Sequence, residues 1–176
     1  MTGELITGDV FSPALSTGGL NYELISNPYV SAIDFDALAS ENILLVEDGY
    51  WIWNPSAGNY VTRAAGTGAS PYIQVGQGFF VQTKATGSFV FSNAQRLHSD
   101  TTSFLKEQPL NVLSAKVEGG ETGFRDELYI RFAEGATANY DEEIEAVKWY
   151  SMHDDATMIY SVAEDETELA INVLPL

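Results

Sequence analysis

The chain has 176 residues, with 25 acidic against 8 basic side chains and no cysteine. Its formal charge of −17 offers no electrostatic support for binding nucleic acid or an anionic membrane, and the missing thiols exclude disulfides, thiolate zinc sites and thiol catalysis. A composition of 45% hydrophobic and 19% charged residues belongs to a chain that folds around a core.

The charge is uneven: residues 1–98 carry 8 acids and 3 bases (−5), residues 99–176 carry 17 and 5 (−12). The longest aliphatic run, Ile43 to Val46, is far too short to span a bilayer, so no membrane insertion is expected. Turn formers then punctuate the chain at short intervals, from Gly18-Gly19 and Asn27-Pro28 through Asp48-Gly49, Asn54-Pro55 and Gly76 to Gly119-Gly120 and Gly135, a spacing that suits strands.

In chain order, Phe35 to Ser40 predicts one helical turn with Asp34 or Asp36 at its start. Tyr50 to Trp53 predicts a strand that turns through Asn54 to Asn59 into Tyr60-Val61-Thr62, with Pro55 presetting the turn and Gly58 tolerating positive φ. A second hairpin is expected from Phe79–Thr83, through Ala85-Thr86-Gly87, into Ser88–Phe91. The polar stretch from Ser99 to Pro109 reads as a boundary. Beyond it Leu113, Ala115 and Val117 alternate, and from Asp126 to Phe132 the residues Leu128, Ile130 and Phe132 share one face while Glu127, Tyr129 and Arg131 share the other. Tyr140 to Val147 predicts a second short helical segment after an Asp141 cap, and Leu169, Ile171 and Val173 a last strand. The expected fold is all-β, an antiparallel β-sandwich of jelly-roll or immunoglobulin-like type, in two strand-rich units: residues 1–99, and an acidic unit over residues 109–176.

Several short blocks in one order carry a resemblance. They are Thr2-Gly3 to Asp9, Tyr22 to Tyr29 with Ser31 to Asp34, Tyr50-Trp51-Ile52-Trp53-Asn54-Pro55 to Tyr60, Gly76 to Val81, Phe91-Ser92-Asn93, Arg96-Leu97-His98, Tyr140-Asp141 to Lys148, and Leu169 to Pro175. Together they resemble modules of Bacteroidetes-type secreted and cell-surface proteins found upstream of type IX secretion sorting domains. Ser26 stands where that family usually has glycine. The resemblance implies an extracellular or outer-surface location and a non-catalytic structural or interaction role, adhesin- or spacer-like, between a functional head and an export or anchoring tail. The expected partners are the other domains of the parent protein and a polysaccharide or surface protein, in a monomer or weak oligomer. The export signal is expected outside this chain, and the family's further strands after Leu174-Pro175 have no counterpart, so the second unit is expected to be truncated or to complete itself differently.

The residues that could carry chemistry are few. Gly76-Gln77-Gly78 runs into the apolar Phe79-Phe80-Val81, a strand rather than the helix a phosphate loop needs, and His98 and His153 have no matching serine motif. Asp34 with Asp36, Asp126 with Glu127, or Asp154 with Asp155 would supply the two carboxylates of a glycosidase, yet alternation sends Asp126 and Glu127 to opposite faces. No enzymatic activity is expected. Calcium is the one cofactor considered, with Asp141, Glu142, Asp154 and Asp155 as candidate oxygen ligands, against a plain reading as solvated acidic surface. Trp51 and Trp53 share a strand face and Tyr60 returns beside them, which fits either a sugar-stacking platform or core packing. Trp149 reads as structural.

Overall fold

The computed structural model describes residues 5–97 and 111–176; the expected boundary from Ser99 to Pro109 and His98 lie outside them. Among the described residues the elements are β1 (Val10–Leu15), β2 (Tyr22–Ser26), β3 (Ile33–Asp34), α1 (Phe35–Glu41), β4 (Val46–Asn54), β5 (Asn59–Ala64), β6 (Thr67–Gly68), β7 (Tyr72–Ile73), β8 (Gly78–Thr83), β9 (Gly87–Phe91), a 3-10 turn (Asn93–Gln95), β10 (Val112–Glu118), β11 (Arg125–Ala133), β12 (Ala146–Val147), β13 (Ser161–Val162) and β14 (Glu168–Pro175). The all-β, sandwich-like class is borne out, with one short helix.

The chain divides into two compact units, Met1–Tyr50 with Ser70–Lys106, and Trp51–Ala69 with Glu107–Leu176. The expected division at a single crossing differs from this, because residues 51–69 belong with the later strands. The reason is packing: Trp51 and Arg125 bond to Val147 and Ala57, partners with no signature in local sequence.

In the first unit β2 lies antiparallel to β8, with Leu24 opposite Phe80, and β8 neighbours β4. Strand β8 alternates as a half-buried strand should, burying Phe79, Val81 and Thr83. Phe79, Phe35 and Tyr50 meet edge to face, with Phe35 ring centroids 4.9 Å from Tyr50 and 5.9 Å from Phe79. Helix α1 begins where expected: Asp34 accepts from the amides of Asp36 and Ala37. It ends at the buried Asn42, whose side chain bonds both the carbonyl and the amide of Val90. The hairpin expected across Phe79–Phe91 does not form. Strand β9 pairs with β1 while β8 pairs with β2, because Phe89 and Phe91 bury in a different sheet and the amides of Lys84 and Ala85 turn to Leu45 O.

The Asn27-Pro28-Tyr29 block acts here as a clasp. Asn27 Nδ2 donates to Ser31 O and Gln74 O while its Oδ1 accepts from Tyr29 N. The Tyr29 hydroxyl lies between Gly8 O and Phe91 O, and Arg96 sits 4.9 Å over its ring. Burial and the nearby Asp9 charge raise the Tyr29 hydroxyl's pKa above the ordinary phenol value.

In the second unit β10 and β11 are antiparallel, with Ala115 opposite Leu128. Strand β14 pairs with β12 and β13 antiparallel, but with β11 parallel, an exception to the antiparallel expectation. A parallel pair needs a long crossover, and residues 134–167 supply it. Strand β14 is buried without a break from Leu169 to Val173, since neighbours flank it on both sides. The β4–β5 hairpin turns at Gly58, φ +66°, as its sequence predicts. The helical segment expected at Tyr140–Val147 is instead a single turn followed by β12. Asp141 caps that turn through Glu143 N, but Glu145 reaches back to Asp141 N and the chain then pairs with β14, which overrides helix propensity.

Candidate functional site

The second unit holds all three tryptophans, joined with other rings in one continuous row. Trp51, on the buried middle of β4, is 1% exposed and stacks on Trp149 with centroids 5.5 Å apart and planes at 18°. Its indole N–H donates to Val147 O at 3.1 Å. Trp149 meets Tyr60 edge to face at 5.1 Å, and Tyr60 meets Trp53 the same way at 5.1 Å and 63°. Trp53 continues to His153, and His153 stacks on Phe124 at 4.7 Å. Alternation along β4 and β5 lines these rings up, since Trp51 and Trp53 are two residues apart on one face.

Trp51, Trp53 and Tyr60 are thus brought into one row, but not as a platform. Trp51 is closed off from solvent by Trp149, and the half-buried Trp53 and Tyr60 stand at 63° to one another rather than in a plane. Sugar stacking needs a ring face free of protein, which the buried Trp51 does not offer, while Trp53 and Tyr60 keep part of their surface exposed.

The candidate calcium ligands are placed differently. Asp141 is half-buried and occupied in its turn, Glu142 is exposed, and Asp154 and Asp155 are exposed beside His153. Among the described residues no three acidic or histidine side chains gather closely enough to hold a metal ion. Of the carboxylate pairs, Asp34 serves as the α1 cap, while Asp126 is buried and Glu127 pairs with Lys116.

Beside the aromatic row lies a buried polar cluster that charge patterning did not single out. Asp126, 1% exposed at the start of β11, contacts the ammonium of Lys148 and accepts from Asn59 Nδ2 at 2.9 Å and Ile159 N at 2.8 Å. Asn59 Oδ1 is buried with no hydrogen-bond partner among the described residues. The signal was present in the alternation: Asp126 shares its face with Leu128 and Ile130, so an apolar strand face carries one carboxylate inward. Nearby, Glu145 is buried with Val173 N and Asp141 N on its carboxylate, and loss of hydration outweighs those bonds, raising its pKa above the ordinary carboxylate value.

The first unit has an open surface instead. A groove of about 470 Å³ runs between β1 and β2, lined by Val10, Phe11, Leu24, Ile25 and Pro28, with Phe11 and Leu24 exposed at 64% and 61%. No helix among the described residues is long and apolar enough to cross a membrane.

The family model for a domain of unknown function, DUF8693, matches residues 6–175. The chain belongs to the DUF8693 family. The DUF8693 match spans both units, including the aromatic row, the Asp126–Lys148 cluster and the Asn27-Pro28-Tyr29 clasp. No curated protein and no solved structure matches this DUF8693 chain.

Proposed function

We propose that the chain is a non-catalytic structural or interaction module, adhesin- or spacer-like, of an exported multidomain surface protein. The observation that carries this reading is the inward use of the aromatic row: Trp51, stacked on Trp149 and bonded to Val147 O, holds the second unit together. The Asn27-Pro28-Tyr29 block supports it, since its polar atoms are taken up by backbone of its own unit. A charge of −17 keeps such a spacer soluble and free of nonspecific attachment. The ordered motifs resembling type IX secretion cargo supply the context, with the other domains of the parent protein as partners and the cell exterior as location.

A second reading, a carbohydrate-binding module, is favoured by one observation: Trp53 and Tyr60 keep part of their surface exposed. In that reading Trp51 supports the site from beneath rather than touching sugar.

Protease shaving and antibody labelling of intact cells that make the parent protein test the first reading. The module should be labelled and released from whole cells. Labelling only after lysis would overturn the exported role.

A further inference from the structure

We propose that Lys148 and Asp126 condense to an intramolecular isopeptide bond, a covalent staple within the second unit. The two side chains touch, Nζ to Oδ2, with 2% and 1% of their surface exposed. Both are held from behind. Lys148 N donates to Glu168 O at 2.8 Å, and Asp126 is fixed in register opposite Val117. A fixed contact of this kind replaces a bimolecular encounter, and burial of both groups strips away most of the hydration that favours an ammonium and a carboxylate as separate ions.

The carboxyl group is also dressed for attack. Asn59 Nδ2 donates to Oδ1 at 2.9 Å and Ile159 N donates to Oδ2 at 2.8 Å. Donors at that range, fixed before reaction, are what stabilises charge on a tetrahedral oxyanion.

The step balances without any added reagent. The ammonium passes a proton to Oδ2 across their contact, leaving a neutral amine and a carboxylic acid. The nitrogen lone pair forms the Nζ–Cγ bond while the Cγ–Oδ1 π pair moves onto Oδ1, where the Asn59 N–H meets it. The nitrogen, now positive, gives a second proton to the Oδ2 hydroxyl. The Cγ–Oδ2 bond then breaks, its electron pair leaves with water, and the pair on Oδ1 restores the carbonyl. Ammonium plus carboxylate have become one secondary amide and one water.

The staple would join the start of β11 to the residue after β12, on either side of β14, in a chain without cysteine. Lys116 and Glu127 provide the internal contrast. They pair at 2.6 Å in neighbouring strands, but 68% and 37% exposed, so water keeps both ions and no bond is expected there.

Intact-mass spectrometry of the full chain under denaturing conditions tests the proposal, and it is independent of where the protein resides. The expected mass is that of the sequence less one water, with a branched Lys148–Asp126 peptide after proteolysis and none linking Lys116 to Glu127. Lys148→Arg and Asp126→Ala should restore the sequence mass. Three results would each overturn the proposal: the full sequence mass in folded wild-type protein, loss of water without the branched peptide, or loss of ammonia with the branch at Asn59. The wild-type measurement decides even if the variants do not fold.

Discussion

Replacing Trp51 by alanine removes the ring at the buried end of the aromatic row, and the structure sets the size of the effect. Truncating a fully buried tryptophan costs about 3–5 kcal/mol through lost transfer energy and the cavity left behind. The stack on Trp149 and the bond to Val147 O lie inside that figure; taken singly they are worth about 0.5–1.5 kcal/mol each. A loss of about 4 kcal/mol, against a urea dependence of roughly 2 kcal/mol per molar, lowers the unfolding midpoint by roughly 2 M. Trp53→Ala, at a half-buried position, should cost less than half as much. Equilibrium urea unfolding followed by far-ultraviolet circular dichroism measures both, since the backbone signal does not depend on the ring removed. If Trp53→Ala proves as costly as Trp51→Ala, or Trp51→Ala moves the midpoint by only a few tenths of a molar, the buried-row reasoning is wrong.

Gly58 and Gly76 share a φ of +66°, but a methyl at Gly58 would meet the Phe124 ring at 2.4 Å while Gly76 faces open space. Gly76→Ala should therefore cost about 1 kcal/mol of backbone strain and Gly58→Ala about 2–4, with equal losses in thermal or urea unfolding refuting the packing claim. Glu145 is raised in the folded state by burial, so its stabilising contribution is complete below its ordinary value of 4.5 and is lost as pH rises through the folded value. The stability of Glu145→Gln relative to wild type should accordingly climb as pH rises above 4.5, on top of a loss from the acceptor that glutamine cannot supply. Urea midpoints across that range check the slope, and a falling difference would show that desolvation does not dominate.

Much of the fold was legible because it is local. Alternation located β8, β11 and β14, Asp34 announced the cap of α1, and Pro55 with Gly58 announced the β4–β5 turn. What was not legible depends on partners far along the chain. Which sheet Phe89 and Phe91 enter is decided by β1, about eighty positions earlier, and Trp51 is buried by Val147 and Trp149, 96 positions away in the case of Val147. The antiparallel expectation at β11 and the helix propensity of Tyr140–Val147 were both overridden by pairing with the same central strand, β14. Of the candidate site, the shared face of Trp51 and Trp53 could be read, but the choice between platform and packing could not, because periodicity is the same for both. Asp126 was readable as an inward carboxylate; its Lys148 partner, across β14, was not.

The most direct test of the claim that the aromatic row serves the interior is affinity electrophoresis of the wild-type chain and Trp53→Ala through gels containing soluble polysaccharides, with tryptophan emission recorded in parallel. The inward row predicts unchanged mobility for both proteins and emission that does not respond to sugar. Retardation of the wild type that Trp53→Ala abolishes would contradict it and make the outer rings a binding site.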